Sequence, residues 1–110
     1  RITDEESKKL DLSSTKPTVT YLEQQDNKIE VAGLVSGLFE DGGKCTFTLR
    51  QGERSWQQVT DATKEGSSVY CPVAKFDLTD MNSGKASVNL KYVSKTTSGT
   101  SEEREIAVKL

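Results

Sequence analysis

The stretch KFDLTDMNSGKASVNLKYVS, residues 75–94, decides the fold. Phe76 and Leu78 alternate with polar neighbours, and a turn-rich segment follows at residues 80–84. Apolar and polar side chains then alternate strictly through residues 85–92. Because successive side chains of a strand point to opposite faces, this pattern predicts two strands joined by a corner, each with one apolar and one solvated face.

The same alternation recurs along most of the chain, and turn residues separate the alternating runs. Residues 61–67 and 95–101 are predicted as polar loops, and the last strand is expected to turn Leu110 inward. About seven strands with no strong helix and no internal repeat predict an all-β, antiparallel two-sheet β-sandwich. The predicted strands lie near residues 18–24, 28–35, 44–50, 56–60, 69–79, 85–94 and 105–110.

Two irregularities interrupt the alternation. Gly33 lies inside a predicted strand, where a glycine marks a bulge or a close approach of another backbone. Val69 and Cys71 share one parity, whereas Phe76 has the other. One extra residue near Pro72 would reconcile the two runs, as at a β-bulge. The alternative places Cys71 on a loop just before the strand.

The length of 110 residues fits one domain, and a change of character divides it near Pro17. Residues 1–17 are charged and weakly apolar, so we predict a flexible linker, or a stalk from an anchor or an earlier domain. Residues 18–110 are predicted to form the sandwich. The chain opens at Arg1 and not at Met, so we expect a piece of a longer protein, with any anchor in the preceding sequence.

Composition argues against several classes of partner. The formal net charge is −2, and the basic and acidic residues are interspersed, so neither a nucleic-acid footprint nor a polybasic membrane patch is present. No apolar run approaches the ~20 residues that a membrane-spanning helix needs. The expected partner is therefore a protein or a glycan, and the sequence does not name it.

Catalytic and metal-binding chemistry is sparse. The chain contains no histidine, and two cysteines cannot complete a tetrahedral zinc site. Carboxylates at residues 40–41, Asp77 and Asp80 are of the type that binds Ca²⁺, but we predict them to be solvated turn residues. We therefore expect no enzyme activity, no cofactor and no metal. A pair of carboxylates acting without histidine is the remaining catalytic alternative.

The two cysteines, Cys45 and Cys71, are predicted to form a disulfide. Cys45 shares the apolar face of its strand, and the parity of Cys71 also allows it to point inward. Pairing is the simplest use of two cysteines in an oxidising compartment, so the protein is expected to be extracellular or at a cell surface. The alternative is two buried, inert thiols in a cytosolic protein.

Trp56 and Tyr70 are the candidate ligand contacts. Exposed together, they would offer a stacking platform for a sugar or an anchor for a protein partner. The alternative for Trp56 is core packing, as a tryptophan packs in immunoglobulin-like domains. A buried Trp56 would count against the ligand hypothesis.

The pattern FxLxxMxxGxAxV, residues 76–88, resembles the corner between the fifth and sixth strands of immunoglobulin-like domains. Fibronectin-type domains and many bacterial surface domains share this corner. Val88 stands where antibody-type domains place their second cysteine, and Ala86 stands where they place the corner tyrosine. The resemblance implies an immunoglobulin-like, non-catalytic extracellular module for adhesion, spacing or protein recognition. The alternative is a carbohydrate- or ligand-binding accessory domain of a larger secreted protein.

Overall fold

The computed structural model of this chain describes residues 15–38 and 40–110. These residues form nine β-strands and one 3-10 helix, Leu78–Asp80. The predicted all-β, antiparallel two-sheet sandwich is confirmed. No helix within the described ranges has the length and apolarity that crossing a membrane requires. The strands are β1 (Thr18–Gln25), β2 (Lys28–Ser36), β3 (Lys44–Gln51), β4 (Arg54–Asp61), β5 (Thr63–Glu65), β6 (Ser68–Asp77), β7 (Gly84–Val93), β8 (Ser98–Thr100) and β9 (Arg104–Val108).

The strand order differs between the two sheets. One sheet has four strands in the order β1-β2-β6-β5. The other has five strands, β4-β3-β7 followed by β8 and β9, which pair with successive parts of β7. Because β6 and β7 belong to different sheets, residues 75–94 form the corner that carries the chain from one sheet to the other.

The core lies between the sheets and takes side chains from both. Alternate residues of β3 and β7 are buried, as expected for strands with one wet face, and β2 buries Ala32 in addition to its alternate residues. The buried cluster consists of Val19, Ile29, Val31, Val35, Cys45, Phe47, Leu49, Val69, Cys71, Ala74, Phe76, Leu78, Met81, Ala86, Val88, Leu90, Tyr92 and Val108.

The corner is closed by side-chain hydrogen bonds to its backbone. The Asp77 carboxylate accepts a bond of 2.9 Å from the Thr79 amide and so caps the 3-10 helix. The Gln51 carboxamide pairs with Asn82 as a second strand would, donating to its carbonyl at 2.6 Å and accepting from its amide at 2.8 Å. Strand β6 consequently ends two residues earlier than predicted, and Leu78 is buried from the helix instead.

The predicted β-bulge near Pro72 is present. The register pairs Val31 of β2 with Ala74 of β6, and Gly33 with Cys71. Two residues of β6, one of them Pro72, therefore lie opposite a single residue of β2. The extra residue reverses the inward parity along β6 and allows both halves of the strand to bury their apolar side chains.

Gly33 is buried at a close approach, as predicted. A Cβ atom built there would lie 2.5 Å from Leu90 Cδ2 of the facing sheet and 2.5 Å from the Thr18 carbonyl oxygen. Only a residue without a side chain fits this position without movement of its neighbours.

Three expectations about the loops and the C-terminal strand are wrong. The predicted loops at residues 61–67 and 95–101 contain β5 and β8, each a short strand at the margin of its sheet. Neither has an apolar alternation, so pairing with β6 and β7 alone defines them. Leu110 is 70% exposed, because the last strand ends at Val108.

The packed structure includes residues just before β1. The Thr15 amide donates a hydrogen bond of 3.0 Å to the Ser98 carbonyl, and the Pro17 side chain is fully buried. The rest of the predicted linker, residues 1–14, lies outside the described residues.

Candidate functional site

Trp56 lies at the edge of the core. On β4 it pairs with the fully buried Leu49 of β3, and residues paired in this way share a face of the sheet. Its ring is half-buried and packs against the core cluster. The guanidinium carbon of Arg54 lies 5.5 Å from the ring centroid, within the range of a cation–π contact.

Tyr70 lies on the outer face of the other sheet. Its neighbour Val69 points into the core, so the Tyr70 side chain points away from it. Tyr70 pairs with Leu34 of β2, whose side chain shares the outer face. The structure therefore does not bring Trp56 and Tyr70 together: they belong to different sheets and face different sides.

Tyr21 is the residue that accompanies Tyr70. It pairs with Ala32 of β2, and the next residue, Leu22, packs against the core, so Tyr21 points outward. The alternation of the sequence places Val19 and Tyr21 on one face. A register shift between these two residues separates them, so Val19 is buried and Tyr21 is not.

These residues form an apolar and aromatic stripe across the middle of the outer face of the four-stranded sheet. We refer to it as the tyrosine band. Its tyrosines and Leu34 are half-buried, and Val73 at the bulge is 41% exposed. The band consists of Tyr21, Leu34, Tyr70 and Val73, with the buried Ala32 between them.

The two sides of the tyrosine band differ in chemistry. Toward the β1–β2 turn, ion pairs cross the sheet, with 3.8 Å between Lys75 and Glu30 and 3.6 Å between Lys28 and Asp77. Toward the other end of the strands lie hydroxyl-bearing residues. The register places them beside the band: Thr18 opposite Leu34, Thr63 opposite Tyr70, and Ser36 opposite Ser68.

Cys45 and Cys71 are joined, in agreement with the predicted pairing. Their Cα atoms lie 5.8 Å apart, with a sequence separation of 26 residues. Cys45 is on β3 and Cys71 on β6, so the bridge ties the two sheets together. Both residues are fully buried, and reductants therefore reach the bridge only when the domain opens.

Three of the four carboxylates of the type that binds Ca²⁺, those of Glu40, Asp41 and Asp77, have side-chain or backbone partners within the protein. Glu40 accepts hydrogen bonds from the hydroxyls of Tyr92 and Thr96. Asp41 lies 3.5 Å from the Lys64 ammonium, and Asp77 caps the corner. In the part of the chain that the structure describes, no group of three or more acidic, cysteine or histidine side chains is placed to hold a metal ion.

Glu40 links the loop between β2 and β3 to the end of β7. Partial burial would raise the pKa of its carboxyl, but hydrogen bonds from Ser94, Thr96 and Tyr92 outweigh this and hold the pKa below its ordinary value. Burial, with the bond to Glu40, raises the pKa of Tyr92 to about 12. The pair therefore exists as carboxylate and neutral phenol at neutral pH.

Replacing Glu40 with glutamine is expected to remove stability in a pH-dependent way. A carboxyl whose pKa is lower in the folded than in the unfolded state stabilises the fold above its unfolded value, about 4.3, and loses that contribution as the pH falls through the folded pKa. Glu40→Gln should lower the free energy of unfolding by about 1 kcal/mol at neutral pH and by much less at strongly acid pH. Urea titrations across this range measure the difference.

A matched control for this change is Glu105→Gln, which removes the carboxylate of an exposed ion pair 3.7 Å from Lys85. It should alter stability by only a few tenths of a kcal/mol. If Glu40→Gln lowers the free energy of unfolding equally at neutral and at strongly acid pH, the stabilising effect of the hydrogen bonds to Glu40 does not depend on the charge of its carboxylate.

Comparison with known proteins yields a fold and no family. No family model matches the sequence, and no curated protein matches it. A similar solved structure is catalytically inactive OgpA from Akkermansia muciniphila in complex with an O-glycopeptide (glycodrosocin) substrate, with a TM-score of 0.55 and 11% sequence identity. The match covers 86% of this chain and 29% of that chain, so it concerns less than a third of the neighbour and shows similarity of fold alone.

Proposed function

We propose that this chain is a non-catalytic, immunoglobulin-like module of an extracellular or cell-surface protein, serving adhesion, spacing or recognition of a protein partner. The strand order supports the immunoglobulin-like assignment. Immunoglobulin sandwiches order their strands A-B-E-D in one sheet and C-F-G in the other. The order β1-β2-β6-β5 corresponds to the first, and β3-β7 with β8 and β9 to the second, with β4 added at the edge.

The observation that carries the extracellular assignment is the buried bridge between Cys45 and Cys71, which joins the two sheets. Disulfides persist in oxidising compartments and are rare in reducing ones. In this domain the bridge links the strands equivalent to C and E, whereas antibody domains link B and F. The bridge therefore fulfils the same cross-sheet role at a different place.

Recognition is favoured over catalysis by the chemistry of the chain. It lacks histidine, the side chain best suited to proton transfer at neutral pH. The carboxylates Glu40, Asp41 and Asp77 are occupied by intramolecular hydrogen bonds or ion pairs. The outer face of the four-stranded sheet, in contrast, presents two tyrosines, a residue type enriched at binding surfaces.

A second candidate function is that of a carbohydrate- or ligand-binding accessory domain in a larger secreted protein. The tyrosine band favours this second candidate, because the band offers aromatic surface on a rigid sheet. The match to OgpA is compatible with it, since this chain corresponds to only 29% of that protein.

Two measurements test the proposed function. Intact mass after alkylation of the unfolded, unreduced protein should show no alkyl group on Cys45 or Cys71; uptake of two groups would remove the extracellular assignment. A screen against peptide, ester, glycoside and phosphoester substrates should show no turnover. Turnover that is abolished by Asp41→Asn, Asp77→Asn or Asp80→Asn would overturn the non-catalytic assignment.

A further inference from the structure

We propose that the tyrosine band binds an uncharged oligosaccharide. This inference rests on the proposed extracellular recognition function and deepens its second candidate. It concerns Tyr21, Leu34, Tyr70 and their hydroxyl-bearing neighbours on the outer face of the four-stranded sheet.

The first argument is the spacing of the aromatic rings. Tyr21 on β1 and Tyr70 on β6 flank β2, and their partners on β2 are two residues apart, Ala32 and Leu34. With strands ~4.8 Å apart and a rise of ~3.4 Å per residue, the two tyrosine Cα atoms lie about 12 Å apart. This distance exceeds one pyranose ring. The two tyrosines can therefore contact different sugar units of one chain.

The second argument is the match of polar and apolar groups. A tyrosine combines an apolar ring face with a hydroxyl, and a sugar combines apolar C–H faces with hydroxyls. Thr18 and Thr63 border the band in the same row as Leu34 and Tyr70. Within residues 15–38 and 40–110, no hydrogen bond occupies the Tyr70 hydroxyl, which remains available to a ligand.

The third argument is charge. The two lysines on the side of the band toward the β1–β2 turn form ion pairs across the sheet: Lys75 with Glu30, and the more distant Lys28 with Asp77. A sialylated or sulfated ligand would have to compete with these carboxylates for the lysines. An uncharged ligand needs no such exchange, so the paired charges favour a neutral saccharide over an acidic one.

The fourth argument is size, and it distinguishes a saccharide from a protein or a second copy of this chain. The band crosses about 15 Å of strands and about two rows of side chains, an area on the order of 200 Å². A stable protein–protein interface buries about 800 Å² on each partner. The band therefore matches a short sugar chain in size, whereas a stable protein partner would have to bury several times this area by extending over the polar surface around it.

The test is binding of the biotinylated domain, displayed on tetrameric streptavidin, to an array of neutral, sialylated and sulfated oligosaccharides. Multivalent display compensates for the weak affinity expected of a small site. We expect binding to neutral oligosaccharides. In titrations of the best array ligand, Tyr21→Ala and Tyr70→Ala should each weaken the affinity about tenfold or more, as truncation of an aromatic anchor does.

Two further variants distinguish direct contact of the tyrosines with the ligand from nonspecific apolar binding and from misfolding. Tyr70→Phe retains the ring and should keep most of the affinity. Val59→Ala removes an apolar side chain that is 59% exposed on the outer face of the other sheet, and it should bind as the wild type does. Thermal unfolding of every variant shows whether a loss of binding reflects a loss of the fold.

Several outcomes would overturn the inference. They are no binding to any neutral oligosaccharide on the array, binding only to acidic glycans, or an affinity that neither Tyr21→Ala nor Tyr70→Ala changes. Concentration-dependent dimerisation that Tyr21→Ala abolishes would show that a second copy covers the band. Each of these results leaves the proposed extracellular function standing if the cysteines are paired. Free thiols would remove that function whatever the array shows.

Discussion

Removal of the disulfide, through the double variant Cys45→Ala with Cys71→Ala, is expected to lower the free energy of unfolding by about 3–4 kcal/mol. The bridge closes a loop with a sequence separation of 26 residues, and it restricts the unfolded chain far more than the folded one. A loss of this size is a large fraction of the 5–15 kcal/mol that stabilises a typical domain. Replacing both residues avoids an unpaired thiol in the core.

Urea unfolding followed by tryptophan fluorescence measures the effect. Reductant provides an independent route. The wild type, once unfolded and with its disulfide reduced, should refold with the same lower stability as the double variant. The double variant itself should not respond to reductant, which makes it the matched control. A loss below about 1 kcal/mol would mean that the packing between the sheets is sufficient without the bridge and that its loop entropy contributes little.

Substitution of Gly33 by alanine is expected to cost about 1–3 kcal/mol, the range found for overpacked cores. The added methyl group would lie 2.5 Å from Leu90 Cδ2 and 2.5 Å from the Thr18 carbonyl oxygen. Leu90 is fully buried, and the oxygen belongs to the backbone of β1, so neither contact relaxes by rotation of an exposed side chain. The sheets must separate or β1 must shift.

A double-mutant cycle identifies which of the two close contacts accounts for the loss of stability in Gly33→Ala. Leu90→Ala removes the Cδ2 atom, so Gly33→Ala should cost less in that background than in the wild type. If Gly33→Ala lowers the free energy of unfolding as much in the Leu90→Ala background as in the wild type, the whole effect comes from the Thr18 carbonyl. If Gly33→Ala were neutral in the wild type, the close approach of the two sheets at this point would be incorrect.

The candidate site shows where sequence reasoning succeeds and where it misleads. Tyr70, one of the two candidate ligand contacts, faces outward, but Trp56, its expected companion, faces the core edge of the other sheet. Tyr21 takes that place. Strict alternation assigns it to the face of Val19, and only the register shift in β1 turns it outward. In the sequence this shift leaves only the opposite parities of Val19 and Leu22 as its trace.

The sequence by itself determined the class of fold and most of the residues that fill its core. Alternation with a period of two is a local property, because each side chain of a strand points opposite to its neighbours. It therefore places Phe47, Leu90 and Cys45 inward without knowledge of strand order, and it allows the same position for Cys71. The change of parity around Pro72 likewise indicates an interruption, either a bulge or a loop that contains Cys71, since both flanking runs must bury their apolar residues.

Only the tertiary structure decided which strands pair, which edges form and which polar groups meet. Strands β5 and β8 exist because β6 and β7 offer them hydrogen-bonding partners, and their own side chains contain no pattern to detect. Glu40 meets Tyr92 across 52 residues of sequence, and the tyrosine band joins β1 to β6 across β2. Contacts between residues far apart in sequence depend on how the sheets pair and pack, and a pattern confined to neighbouring residues does not encode them.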